Sequence, residues 1–260
     1  MKGFYQYLSP FAPDYSGASG VLYDAGGLIV ICDPGGCSGI VCGYDEPRFF
    51  EGKTPLYSAA LRDADTIFGR DEDLQQKVID AAAEDPDIRF IALIPGPVET
   101  IIGTDLSALS ASIEKSTGIP CFSVTTTGMA LYDSGEFKAY KAFIDKFSKE
   151  SENCEKNSVI LFGALPLDLP GHVTAQQITD AASAYYGCHC IGFGSSLSVP
   201  AVENASYFTK AAACSVQGLK AARYFAEKNG IDAEIFFPDN DEFTRISNEL
   251  SKCRGAERVL

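Results

Sequence analysis

The chain has 260 residues, 46% of them hydrophobic, and carries 35 acidic against 21 basic side chains, for a formal charge of -14. That is enough apolar material for two cores, and so acidic a surface has no basic face with which to neutralise phosphates, which excludes nucleic acid as a partner. No apolar run approaches the ~20 residues that span a bilayer; Met1 to Ser19 is polar and broken by proline, unlike a signal peptide, so the expected location is the cytoplasm, with no membrane partner.

Leu28 to Cys32 (LIVIC) is a short apolar run that stops at Asp33-Pro34-Gly35-Gly36, the pattern of a buried parallel strand ending in a loop. Asp71 to Glu84 is amphipathic, and a second buried run, Phe90 to Ile94, follows it before Pro95-Gly96-Pro97, which completes a β-α-β unit. A helix from about Asp105 to Lys115 leads through Gly118-Ile119-Pro120 to a third run, Cys121 to Val124, and then to a helix around Phe137 to Phe147. Lys149 to Asn157 (KESENCEKN) is charged and aperiodic, and divides a domain of residues 1–150 from a smaller one of residues 151–260. Beyond it the pattern restarts, with Val159 to Phe162 as a strand, Thr174 to Tyr186 as a helix capped by Thr174, and Cys188 to Phe193 as a strand. Phe208 to Asn229 reads as one long helix, Ile235 to Phe237 as a strand, and Asp241 to Lys252 as a last helix opening on an acidic cap. The predicted fold class is α/β, two Rossmann-like domains with parallel sheets flanked by helices. Neither half carries a P-loop lysine motif or a well-formed GxGxxG after its first strand, so nucleotide binding is not expected in this chain.

Nine cysteines without a secretory leader, and odd in number, do not read as a disulfide framework. Cys121, Cys154, Cys188, Cys214 and Cys253 fall in apolar or helical segments where a cysteine is a small buried hydrophobe. Cys32, Cys37 and Cys42 differ, because they recur at a fixed step in a glycine-rich stretch. Gly35, Gly36 and Ser38 keep bulk away from Cys37, their amides can hydrogen-bond sulfides, and a thiolate there is a normal iron ligand. A tight strand-to-helix turn with incidental cysteines explains the local sequence as well. In Cys188-His189-Cys190 strand alternation sends the cysteines to one face and the histidine to the other, which disfavours a shared metal ion. His172 reads as a solvated loop histidine ahead of one facing a cleft between domains, Asp14 and Tyr15 either as a plain surface loop or as residues that approach the Cys37 site or a substrate, and Arg48 as the partner of a carboxylate.

The run Cys32 to Gly39 resembles the His-Gly-Pro-x-Gly-Cys motif of the nitrogenase component 1 superfamily, with Cys37 on the family's cluster-ligating cysteine and Cys32 where histidine is frequent. Further resemblances follow in order: Ala64 to Gly69 with Asp73-Leu74, Ile101 to Leu106, Gly118-Ile119-Pro120 with Thr127-Gly128, and Tyr207 to Ile231. The resemblance implies an iron–sulfur cluster, most simply [4Fe-4S], and a separate ATP-dependent iron–sulfur reductase as electron donor. The family commonly uses three cysteines per subunit; here none precedes Cys32, and Gly96 occupies the place of the third. One thiol cannot hold four irons. The expected arrangement is therefore a homodimer, or a heterodimer with a related subunit, sharing a cluster through Cys37 with Cys42, or Cys32 as substitute, from each side. Two other functions compete with an electron-accepting reductase component: a non-catalytic cluster or cofactor assembly scaffold, and a small-molecule-binding α/β protein whose cysteines are incidental.

Overall fold

The structure, a computed structural model, describes residues 9–51, 54–69, 71–148, 157–169, 173–195, 198–203 and 207–236. In chain order the first half runs α1 (Asp14–Leu22), β1 (Leu28–Cys32), α2 (Gly36–Ile40), a π-helical turn (Val41–Asp45), a 3-10 turn (Pro47–Glu51), β2 (Leu56–Ser58), α3 (Asp63–Phe68), α4 (Asp71–Glu84) and β3 (Ile91–Pro95). It continues with α5 (Pro97–Ile102), α6 (Leu106–Thr117), β4 (Cys121–Ser123) and α7 (Tyr132–Phe147). The second half is β5 (Ser158–Phe162), α8 (Ala175–Tyr186), β6 (His189–Gly192), α9 (Val199–Glu203), β7 (Phe208–Ala213), α10 (Val216–Asn229) and β8 (Asp232–Ile235).

The predicted class is the observed one. Two parallel four-stranded sheets form, ordered β2-β1-β3-β4 and β6-β5-β7-β8, so both halves have the same connectivity. β1 and β3 are buried at every residue, as the unbroken apolar runs require of strands covered on both faces. Thr174 caps α8 as expected, its hydroxyl accepting from the Gln177 amide at 3.2 Å. Two predictions are corrected: the last strand spans Asp232–Ile235 instead of starting at Ile235, and Phe208–Ala213 is a strand, with the helix beginning only at the Ser215 cap. Its Thr-Lys-Ala-Ala-Ala run suits a helix, but pairing between β5 and β8 overrides propensity. The residues expected to form the 149–156 boundary and the 241–252 helix lie outside those described.

α7 stands against both sheets. One apolar cluster joins Phe90, Phe122, Phe143 and Phe147 to Tyr140, Phe162, Phe193 and Phe225, and so runs through residues of both halves. Tyr140 meets Phe193 edge-on at 4.7 Å, and Phe162 stacks on Phe193 at 5.0 Å. Each such ring out of water stabilises by about 1.5–3 kcal/mol. α1 is buried at all nine of its residues because glycine, serine and alanine let it press onto α7. A Cβ added at Gly135 would overlap the Asp14 carbonyl, and one at Gly17 the Tyr132 carbonyl. Gly135→Ala is accordingly expected to lower stability by about 2–3 kcal/mol, despite the ~1 kcal/mol alanine contributes within a helix. Urea denaturation measures this; an unchanged midpoint would mean that the helices separate freely.

Candidate metal centre

In the first sheet the chain reverses direction of growth between β1 and β3, and the crevice at the carboxyl ends of such neighbours is where α/β sheets bind ligands. The Cys32–Gly39 loop and Gly96 meet there. Gly35 takes φ +117, a left-handed turn that only glycine adopts freely. Asp33, fully buried, organises the loop: its Oδ2 accepts from the Gly35 amide at 2.9 Å and the Ser38 amide at 3.0 Å, while Oδ1 accepts from the Ser58 hydroxyl at 2.7 Å. Two of the loop amides expected to face a cluster therefore face Asp33 instead, and the Cys37 amide faces its own sulfur. The outer side is open, since a Cβ on Gly35, Gly36, Gly39 or Gly43 would meet nothing within 4 Å. Gly96 closes the back of the loop, where a Cβ would lie 3.6 Å from the Cys37 sulfur.

Cys37 is half-buried at the start of α2, and burial pushes its thiol up, with Asp33 adding to the shift and the Tyr15 hydroxyl opposing it. Tyr15 is not in a surface loop but on buried α1, its hydroxyl directed at Cys37. Asp14 is buried as well, its carboxylate accepting from the Thr127 amide at 2.8 Å and the Gly128 amide at 2.7 Å, so it pins the segment before α7. Cys42 is half-buried on the π-helical turn, its thiol also raised by burial and by Asp33. Cys32 is placed differently. It alternates with Leu28 and Val30 into the core between the first sheet and α4 and α6, whereas Cys37 packs against the opposite cluster. It is fully buried, and desolvation, with Glu99 and Asp33 adding to it, drives its thiol far upward. Among the described residues no group of three or more metal-binding side chains comes together.

Around the loop the surface is apolar: Ile40, Tyr44 and Phe50 are exposed on the segment after Cys37, the last two by about four-fifths. Behind that segment Glu46 is fully buried and pairs two-pronged with Arg48, Nε to Oε1 at 2.7 Å and Nη2 to Oε2 at 2.6 Å. Arg48 also donates to the Gly20 carbonyl at 2.6 Å and lies over Tyr23, which ties the segment to α1. The carboxylate partner expected for Arg48 is thus Glu46. One strand over, a crevice of about 320 Å³ at the ends of β3 and β4 is lined by Glu99, Thr104, Asp105, Ser107, Ser123 and Thr126, with no cationic side chain. His189 is exposed, Cys121 and Cys214 are buried, and His172, Cys154 and Cys253 lie outside the described residues. Sequence reasoning missed Asp33 as organiser, although an Asp followed two residues later by Gly is a recognisable Asx turn.

The fold and the loop define an α/β protein with a half-buried cysteine, Cys37, on a glycine turn at the carboxyl edge of a parallel sheet. A family model of nitrogenase component 1 type oxidoreductases matches residues 14–259, and the chain belongs to that family. Solved structures of nitrogenase Cp1 at pH 6.5 and at pH 5 are similar in fold, each with TM-score 0.69 and 19% identity over 90% of this chain. The chain spans 46% of the first and 48% of the second, so it is about half their length. No curated protein matches it.

Proposed function

We propose that the chain is the electron-accepting component of a two-component reductase, holding a [4Fe-4S] cluster at Cys37 that two copies share. The observation that carries this is a half-buried thiol on an open glycine loop at the sheet's switch point, ringed by exposed apolar side chains. Membership of the nitrogenase component 1 family supports it, and with it a separate ATP-dependent iron–sulfur reductase as donor. A single chain does not fit the cluster: with Cys32 in the opposite core, the loop offers two thiols, Cys37 and Cys42, against the four that such a cluster takes. Two chains supply four, and Ile40, Tyr44 and Phe50 then leave water as the loops meet. A bound cluster would supply one-electron storage at low potential. The chain's own residues do the rest: Asp33 keeps the loop in shape, Tyr15 directs a hydroxyl at the Cys37 sulfur, and Gly96 leaves room behind it.

Iron, acid-labile sulfide and the visible spectrum of anaerobically purified protein test the proposal. About four irons per pair of chains are expected in the native protein. Cys37→Ala and Cys42→Ala abolish them, while Cys32→Ala retains iron and loses stability instead. Iron-free native protein would sink the proposal. The scaffold reading is separated by reduction followed by substrate addition, because a scaffold's reduced cluster is not reoxidised.

A further inference from the structure

The crevice at the ends of β3 and β4 lies one strand over from the Cys37 loop and shares no residue with it. Its volume of about 320 Å³ falls within the range of small-ligand pockets. Glu99 of α5 and Val124 form its inner side with Leu106, all three buried, while Asp105 and Ser107 at the start of α6 are exposed at its mouth. Glu99 is the anomaly. It is only 3% exposed, and its Oε2 has no hydrogen-bond partner among the described residues; the side-chain hydrogen bond the carboxyl does have comes from Thr104. A carboxylate oxygen out of water and without a donor is costly in a folded chain, and a donor brought by a ligand relieves that cost.

The lining selects among ligand chemistries. An anion finds no help, because no cationic side chain lines the crevice and the amides that open α6 are occupied, Leu106 donating to the Thr104 carbonyl at 3.0 Å and Ala108 to Asp105 Oδ1 at 2.9 Å. A calcium or magnesium ion takes six or more oxygens. Glu99 and Asp105 are the only carboxylates among the lining residues, and the α6 cap already holds one Asp105 oxygen. The apolar side chains offer such an ion nothing. An organic cation uses both surfaces, with N–H donors for the free carboxylate oxygen and a hydrocarbon body for the apolar wall.

We propose that this crevice binds a small primary alkylammonium compound, its ammonium group donating to Glu99 Oε2 and its alkyl chain lying on Val124 and Leu106. An ammonium carries three donors, and the hydroxyls of Ser107 and Ser123 line the same space as further acceptors. Burial raises the Glu99 carboxyl above its ordinary value, with Thr104 opposing the shift and Asp71 adding to it. A cation at Oε2 answers the buried charge and draws that value back down.

Proton–nitrogen correlation spectra of the full chain, titrated with n-butylammonium chloride, test this, with n-butanol as the neutral counterpart and calcium chloride as the metal. No iron is required, so the outcome stands apart from that of the proposed cluster. A chain of charge -14 attracts any cation, so the place of binding decides together with its strength. The expected result is saturable shifts confined to residues 95–107 and 123–126, with butanol binding at least about tenfold more weakly. Glu99→Gln keeps the shape of the side chain and should weaken butylammonium by the same factor while leaving butanol unchanged. Asp105→Asn keeps the cap oxygen and should weaken it less. Equal binding of butylammonium and butanol would overturn the proposal, as would shifts scattered over the acidic surface, or calcium moving the same residues at lower concentration. So would a folded Glu99→Gln that binds butylammonium as tightly as the native chain. Should that variant not fold, the comparison of the two ligands on the native chain decides alone.

Discussion

Arg48→Met is expected to lower the stability of the folded chain by about 3–5 kcal/mol, the usual cost of removing one partner of a buried ion pair. The methionine keeps the length of the stem and deletes the charge. Glu46, with a fully buried side chain, then has no counter-ion and loses the guanidinium donors at both oxygens. The Gly20 carbonyl loses its donor, and the Tyr23 ring its cation. Against a total of ~5–15 kcal/mol for a domain, this is a large fraction. The damage is also local in a useful way. Glu46 and Arg48 anchor the stretch that carries Cys42, Tyr44 and Phe50, so amide exchange there should accelerate before global unfolding does. Glu46→Gln combined with Arg48→Met should be less destabilised than Arg48→Met alone, because no buried charge is left uncompensated. Denaturant unfolding of the three variants checks this, and a double variant no better than Arg48→Met would show that packing of the arginine stem, not the charge, sets the cost.

What could be read from sequence follows the range of the interactions. β1, β3 and β5 were legible because strands buried on both faces write themselves as unbroken apolar runs, and α8 because its cap is a local pattern between Thr174 and Gln177. β7 was misread because its alanines carry no strand signal and pairing to β5 and β8 decides the matter. α1 has no polar face to mark it as a helix, since all of it is inside. At the site, Cys37 and the open glycines stood out, and the alternation of Leu28, Val30 and Cys32 already placed Cys32 on a core face, had period two been applied to the strand's last residue. Glu46 with Arg48 is a short-range pair and readable in principle. Glu136 with Asp168 is not, because these residues meet only once α7 lies across the second sheet.

That pair is the source of the second large effect. Glu136 on α7 is fully buried, Asp168 lies in the turn after β5, and among the described residues none of their four carboxylate oxygens has a well-formed hydrogen bond, the Ser215 hydroxyl beside Asp168 being the nearest candidate donor. Asp133 stands close with its carboxylate taken by Gln217 at 2.9 Å, Tyr140 engages the Gly163 amide at 3.1 Å, and among the described residues no cation faces Glu136 or Asp168. A shared proton supplies the missing donor: desolvation, then the facing Asp168, raises Glu136 well above the usual carboxylate range, and desolvation raises Asp168. The folded state therefore keeps a proton that the unfolded chain releases near pH ~4. Groups raised in the folded state contribute stability that is complete below the unfolded value and is lost as pH climbs through the folded one. Wild-type stability should thus decline from mildly acidic to alkaline pH, by up to about 1.4 kcal/mol per pH unit for one proton. Glu136→Gln removes the proton requirement and gives Asp168 a permanent amide donor, so its curve should be flatter and should cross above wild type on the alkaline side. Unfolding free energies of both proteins between about pH 5 and pH 9 decide the point, since the difference between them cancels the thiols and tyrosines they share. Parallel curves would mean that Glu136 and Asp168 are both ionised in the fold, with their charge answered by solvent reaching the turn.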